Sequence, residues 1–395
     1  MNCPICLHHE SQLLLQLQHT PIYQHPVDPA CDIPQPHYLD LEYRFCPACG
    51  HAFQSHFDSV LMDSIYTNHY YTPAPDSIGH QLRDEFFTAI TQILGTLQPE
   101  CRILEIGSSS GEVLATFRQN INQPYLMGYE PSQNSAAAAR QSGIPTRCEF
   151  FTPQSVQIET QPYDLIVSRH VIEHIIDFES FWNAIAHIAH ADTRVVLETP
   201  SLEMAMQKPS ISPFHVEHAH VFSAHSLATL AAAHGWYAEQ KHFTSAGNMI
   251  LCFVRNKTLA VSIMPPVFTT SLQQLLSWQA KRLAEEIGTR KVILWGAGVG
   301  GLSLICAHRL QPEQLVDGNP NKQGKKFCGQ PWMIAYGPDI IADLIKQNKN
   351  NPEAYTIIIG STFYREIRAM LTELHWQGGI ISPYEWDNHP IQGEA

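Results

Sequence analysis

Between Cys101 and Phe117 the chain reads CRILEIGSSSGEVLATF: a short apolar strand, a turn carrying Gly107 and Gly111, and then an amphipathic helix. No other stretch narrows the fold so far. A strand that passes into a helix through a glycine turn is the opening unit of a parallel α/β sheet, and such sheets take their ligands outside the carboxyl ends of the strands. The two glycines let the backbone approach a ligand closely, and Glu105 at the strand end can accept hydrogen bonds from it. Next comes YLMGYEPSQNSAAAARQSG, a strand ending in Glu130 and an alanine-rich helix. An acid at the end of the second strand is where an α/β nucleotide fold grips ribose hydroxyls. The segment YDLIVSRHVIEHIIDFESFW then predicts a strand over 164–168 with a helix after it, and RVVLETP supplies another strand.

Size and charge limit what such a sheet can serve. A chain of 395 residues with 44% hydrophobic content buries a full core in two or three domains. Its formal net charge of −13 disfavours a nucleic-acid partner, which calls for a basic face. No apolar run approaches the roughly 20 residues that span a bilayer. The opening MNCPICLHHE also lacks the charged-then-apolar order of a signal peptide. A cytoplasmic protein without a membrane partner is expected. In a reducing compartment the ten cysteines serve as thiols or metal ligands rather than disulfides.

Four of them fall in two C-x-x-C pairs, Cys3-Pro4-Ile5-Cys6 and Cys46-Pro47-Ala48-Cys49. Each pair curls so that both sulfurs face one point, and two pairs complete a tetrahedral thiolate site for zinc. Four protein ligands leave no position for water, which makes the zinc structural. The alternative is four unliganded core cysteines. The segment between the pairs is rich in proline and histidine and would gain its order from the metal, with Cys31 a spare.

HVIEH, residues 170–174, also matches the H-x-x-E-H pattern of inverted zinc proteases. That pattern needs both histidines on one helix face and a remote third ligand in an unrelated fold. Here the motif begins at the carboxyl end of a sheet strand, where His174 faces the ligand crevice instead. Downstream, SPFHVEHAHVFSAHSLATL brings together His215, Glu217, His218 and His220 before a helix-starting serine, Ser223. A metal cluster is one reading, but residues spaced this tightly rarely all point inward.

EIGSSSG, YEPS one strand later and DLIVSRHVIEHI two strands later together resemble class I S-adenosylmethionine-dependent methyltransferases. With the cysteine pairs and the loop around Glu217-His218, the chain resembles the sugar C-methyltransferases that act on nucleotide-linked 4-keto-deoxysugars. In that family a zinc module, a methyltransferase core and a C-terminal Rossmann-like domain follow one another, and the resemblance covers essentially the whole chain. It implies an α/β fold divided into a zinc-binding module at 1–57, a helical connector at 58–98, an S-adenosylmethionine-binding methyltransferase domain at 99–257 and a Rossmann-like domain at 269–395. It implies that Glu105, Gly107, Gly111, Glu130, Pro131, Phe151 and Arg169 line the cofactor, and that Cys3, Cys6, Cys46 and Cys49 hold zinc. In the family a Glu-His pair in this loop follows a tyrosine, and its histidine is the proposed base. The pair maps to Glu217 and His218, and the family's core histidine to His174; the tyrosine position falls on His215, a departure. Carbon attack requires removal of a proton beside a carbonyl and donors facing the enolate oxygen, for which His174, His215, Tyr70 and Tyr71 are candidates.

After the linker VSIMPPVFTTS comes KVILWGAGVGGLSLI, in which Gly296, Gly298 and Gly301 satisfy G-x-G-x-x-G and Asp317 follows at dinucleotide-site spacing. Taken alone this spells an NAD-dependent keto-sugar reductase. The resemblance implies instead a degenerate Rossmann unit that helps hold the sugar nucleotide, in a monomer or weak homo-oligomer. A non-catalytic sugar-binding scaffold is the third possibility.

Overall fold

The computed structural model describes every residue except 32–37, 69–76, 208–209, 269–270, 348–350, 362 and 387–395, together with the side chains of 66–82 and 352. The chain falls into two compact units. The first comprises Met1–Gln12, Arg44–Met204 and Glu217–Val267; the second comprises Leu13–Tyr43, Ala205–Val216 and Phe268–Ala395. Strands β1 (Gln12–Pro21) and β2 (Tyr38–Cys46) lie side by side in the segment between the cysteine pairs. Strand β3 (His51–Gln54) follows the second pair, and helices α1 (Ser59–Asn68) and α2 (Ser77–Leu94) lead into the central sheet.

That sheet is built from β4 (Arg102–Ile106), β5 (Tyr125–Tyr129), β6 (Thr146–Arg147), β7 (Tyr163–Arg169), β8 (Ala189–Pro200), β10 (Tyr237–Phe243) and β11 (Asn248–Val254). The short β9 (His220–Val221) pairs with β3 instead. The order is β10-β11-β8-β7-β4-β5-β6, with β4 to β8 parallel and β11 antiparallel to both its neighbours. Both faces are covered, and alternation along each strand divides the apolar residues between them. Leu104, Ile166, Val195 and Leu197 enter one hydrophobic cluster, while Ile103, Leu165, Val167 and Val196 enter another. Helices α3 (Glu112–Asn120), α4 (Gln133–Gln141), α5 (Phe178–His187) and α7 (Ala224–Ala233) supply much of the cover, with the short α6 (Leu202–Gln207) following β8. The chain runs outward from β4 to β6 and returns to β7, so the strand order reverses between β4 and β7. A ligand crevice forms at such a reversal.

Two local readings change. The β7 strand continues to Arg169, and HVIEH does not open a helix. His170 sits at φ +53°, a single 3-10 turn covers Ile172–His174, and α5 starts only after Asp177, whose side chain accepts from Ser180 N at 2.9 Å. A left-handed residue ends the strand abruptly and turns the motif across the strand end. Ser223 does cap a helix: its side chain accepts from Ser226 N, and Ser226 returns the bond to the cap residue.

In the second unit, β12 (Lys291–Trp295), β13 (Gln314–Asp317), β14 (Ile334–Tyr336), β15 (Tyr355–Ile359) and β16 (Gly379–Ile381) form an all-parallel sheet in the order β14-β13-β12-β15-β16. Helices α8 (Leu272–Ile287), α9 (Val299–His308), α10 (Gly337–Gln347) and α11 (Tyr364–Glu373) accompany it, which makes a second Rossmann-like sheet. No helix among the described residues is long and apolar enough to cross a membrane.

Candidate active site

The crevice begins at the β4 turn. Gly107 takes φ +72°, and a Cβ there would lie 2.4 Å from Val171 Cγ2, so neither the angle nor the space admits a side chain. Gly107 N and Ser108 N both donate to Tyr129 O, which docks the turn on the end of β5. Gly111, at φ +79°, precedes α3. Glu130 then accepts from Ser109 N at 2.9 Å through one carboxylate oxygen and from Ser132 N at 2.8 Å through the other. A carboxylate offers about four lone-pair sites, so one on each oxygen is still available to a pair of ribose hydroxyls. Glu105 is 3% exposed and its Oε2 has no hydrogen-bond partner among the described residues. Burial pushes its pKa up to about 8, against the pull of the Arg169 charge and with help from Glu130.

An orphaned buried carboxylate oxygen and an acid with spare acceptors fit a nucleoside that brings hydroxyl and amine donors. Glu105, Gly107, Gly111 and Glu130 would hold it. The other three expected cofactor residues have partners of their own. Arg169 pairs with Glu198 and lies 4.3 Å from the centre of the Phe86 ring. Phe151 packs edge-on against Tyr129, with ring centres 5.4 Å apart. The Pro131 carbonyl faces Cys148 Sγ at 3.8 Å.

Across the turn that follows β7, two histidines meet. The His174 and His218 rings stand edge to face with centres 4.9 Å apart, and His174 Nδ1 donates to the Glu217 carbonyl at 2.7 Å. That bond fixes the tautomer and puts the ring's lone pair on Nε2. The Glu173 carboxylate lies beside His218, with Oε1 3.9 Å from Nε2, and the Glu217 carbonyl holds His174. Glu173 is fully buried; its Oε2 accepts from Thr199 Oγ1 at 3.0 Å and its Oε1 lies 3.3 Å from His170 Nδ1. Burial alone would raise the Glu173 pKa, but the close His170 ring and the neighbouring imidazoles His174 and His218 bring it down to about 2. His170 loses by desolvation and gains more from Glu173, so its imidazole titrates above the usual value.

Sequence reasoning passed over Glu173. Its signal was its place between two histidines, which the protease pattern absorbed. Of the remaining candidates, His215 belongs to the second unit, where its carbonyl accepts from Tyr43 Oη at 2.9 Å. Tyr70 and Tyr71 lie outside the described residues.

The cysteines form a repeated device. Leu7 (φ +61°) and Gly50 (φ +70°) each stand four residues after the first cysteine of a pair, and each donates its N–H back to that cysteine's carbonyl, Cys3 O at 3.1 Å and Cys46 O at 2.8 Å. Cys3 Sγ lies 3.6 Å from Cys49 Sγ, and Cys6 Sγ 3.6 Å from Cys46 Sγ. A tetrahedron with metal–sulfur bonds of about 2.3 Å has edges of about 3.8 Å, so the four thiols fit zinc. Ile5 N also points at Cys3 Sγ, a donor suited to a thiolate.

In the second unit, the last glycine of the G-x-G-x-x-G turn answers to packing, whereas a Cβ on Gly298 would meet nothing within 4 Å. A Cβ on Gly301 would sit 1.9 Å from Gly296 O, and one on Gly300 would sit 2.7 Å from both Gly360 O and Tyr384 Oη. Asp317 accepts from Ala297 N at 2.7 Å and Asn319 N at 2.8 Å, and Lys322 Nζ reaches it at 3.0 Å.

Residues 78–241 match the family model described as a methyltransferase domain. No curated protein matches the chain. Among solved structures, the chain is similar to the magnesium protoporphyrin IX methyltransferase of Synechocystis PCC 6803 with bound SAH, at 15% identity over 50% of this chain and 100% of that one, with a TM-score of 0.37. It is also similar to a SAM-dependent methyltransferase from Aquifex aeolicus, at 10% identity over 51% of this chain and 100% of that one, with a TM-score of 0.39. A third, an S-adenosylmethionine-dependent methyltransferase from Mesorhizobium loti, shares 13% identity over 43% of this chain and 98% of that one, with a TM-score of 0.36. Strand order and the family match, rather than these distant likenesses, carry the assignment. The central region of the chain has the class I methyltransferase fold, and its residues 78–241 match a methyltransferase domain.

Proposed function

We propose that the protein methylates a carbon alpha to the ketone of a nucleotide-linked keto-deoxysugar through a base-generated enolate. The supporting observation is the pair of imidazoles, His174 and His218, gathered around the buried carboxylate of Glu173 beside the strand end that borders the crevice. Bound S-adenosylmethionine supplies an electrophilic methyl group. A carbon acceptor has no lone pair and must first lose a proton, so a base is indispensable. His218 takes that proton, and Glu173 stabilises the imidazolium that results. Glu173 thereby joins the sequence-based assignment, in which Glu217 orients His218. The His174 tautomer, with its lone pair on Nε2, makes His174 the other competent base.

The test supplies a thymidine-diphosphate-linked 4-keto-6-deoxyhexose with S-adenosylhomocysteine in heavy water and follows exchange of the alpha proton. Wild type exchanges without methylating; His218→Asn stops exchange, and with S-adenosylmethionine stops methylation. Exchange that survives in His218→Asn but vanishes in His174→Asn reverses the roles. If neither change matters, the acceptor is not carbon.

One observation favours a second reading. Glu173, His174 and His218 each place a ligand atom within 4.8 Å of the others, a spacing that a divalent cation can bridge. Such an ion would occupy the lone pairs that proton abstraction needs, so the two readings exclude each other. Rates that rise with added divalent metal and fall with a chelator, at constant zinc content, would favour the ion.

A further inference from the structure

The knuckle around Cys46 and Cys49 is joined to the loop that carries His218. Strand β3 leaves Cys49 after one residue, Gly50, whose φ of +70° and crowded surroundings, with Pro266 Cδ 2.4 Å and Ser223 Oγ 3.0 Å from any Cβ, fix the direction of the chain. It then pairs antiparallel with β9, setting Ala52 opposite Val221 and Phe53 opposite His220. His51 Nε2 and His220 Nδ1 share a hydrogen bond of 3.1 Å between the strands. Gln54 closes the ladder: its backbone N donates to Ala219 O at 2.9 Å, and its side-chain Nε2 donates to His218 O at 2.8 Å. From the far end of the loop, Ser223 Oγ donates to Cys49 O at 3.4 Å. Cys3, Cys46, Cys49 and Phe53 belong to the same hydrophobic cluster as Phe178, Phe222 and the sheet residues Leu104 and Ile166.

We propose that Gln54 is the positioning residue for His218, and that zinc held by the cysteine pairs sets the loop geometry through it; this rests on the reading of His218 as the base. Gln54 is buried and gives His218 a side-chain donor at the peptide carbonyl, which holds the backbone and leaves the ring untouched. Loss of that bond lets the loop 217–220 shift, and a displacement of about 1 Å at a reacting group costs on the order of 100-fold in rate.

The test uses the full zinc-loaded chain and Gln54→Glu, which keeps the shape but sets an acceptor against the carbonyl. The His218 ring resonance, assigned with His218→Asn in histidine-labelled protein, is expected to move. Exchange of the alpha proton of the same keto-deoxyhexose should fall about 10- to 100-fold in kcat with KM unchanged. Zinc content and S-adenosylhomocysteine affinity should match wild type. An unmoved resonance with a rate within about threefold of wild type overturns the positioning role. If Gln54→Glu does not fold, Gln54→Leu serves for the same measurements. His218→Asn run alongside separates the two claims, because continued exchange in that variant sinks the base assignment, whereas an unmoved resonance in Gln54→Glu sinks the positioning role. For the metal arm, chelator-stripped full chain should lose amide-exchange protection at residues 219–221 at least about 10-fold while residues 165–167 keep theirs. Unchanged protection, or loss at both places together, overturns the coupling.

Discussion

The two Rossmann-like sheets carry the same hydrogen-bond device at the end of their second strands, in different electrostatic settings. Glu130 accepts an amide from the turn after β4 and another from Ser132, two residues on; Asp317 accepts one from the turn after β12 and another from Asn319, also two residues on. Around Glu130 stands a second buried acid, Glu105, with an orphaned oxygen. At the matching place in β12 the residue is Leu294, fully buried, and Asp317 has Lys322 against it. One acid awaits donors from a ligand, and the other is already neutralised by the protein. Equal backbone geometry therefore leaves the two acids unequally able to take a ligand, because only the first keeps polar groups to be satisfied. In the dinucleotide spelling of the C-terminal turn, Gly301 answers to packing, whereas Gly298 has open space beside it.

The largest test of this contrast concerns Glu105. Its folded pKa of about 8 lies above its ordinary value of 4.5, so the folded state holds a proton that the unfolded state has lost. The linked stability is fully present below the ordinary value and is lost as pH rises through the folded one, a difference on the order of 4 kcal/mol. Denaturant unfolding of Glu105→Gln should therefore show a flatter decline than wild type between about pH 5 and pH 9. A decline identical to wild type would mean that Glu105 is not the uncompensated acid.

Glu130 comes next. Glu130→Ala should weaken S-adenosylhomocysteine binding about 100-fold, near 3 kcal/mol, for the loss of charge-assisted bonds, while Asp317→Asn should leave that affinity within about threefold. Calorimetry with S-adenosylhomocysteine and with NAD checks both, and tight NAD binding abolished by Asp317→Asn would overturn the contrast between the sheets.

Glu173 gives a smaller effect of the opposite sign to Glu105. Its pKa near 2 means that stability is present above the ordinary carboxylate value and lost as pH falls toward 2. Glu173→Gln should cost roughly 2 kcal/mol near pH 7 and weaken the acid-side loss, read from urea midpoints between about pH 3 and pH 7. Lys322→Ala should change least, about 1 kcal/mol or less, because Asp317 keeps both amide donors. A marked gain of NAD binding in that variant would show that the lysine had been blocking a working site.

Legibility differed by region for physical reasons. The glycine turn, Glu105, Glu130 and the cysteine pairs were readable because each depends on contacts within a few residues or on one fixed spacing. Glu173 was not, because its role comes from Thr199, His170 and His218, which the folded turn brings to it. Gln54 was equally hidden, since nothing near it in the chain announces a bond to a carbonyl 164 positions away.

The amino-acid order by itself determined a parallel sheet opened by a glycine turn, an acid at the end of the next strand and four thiols spaced for one tetrahedral site, because local sterics and short spacings dictate them. Tertiary structure alone decided that Glu173 comes beside His218, that the HVIEH segment turns across the strand end instead of forming a helix, and that a strand leaving the second cysteine pair supports the histidine loop. Those outcomes depend on pairings between distant segments, whose energies exist only once the sheet and its covering core have formed.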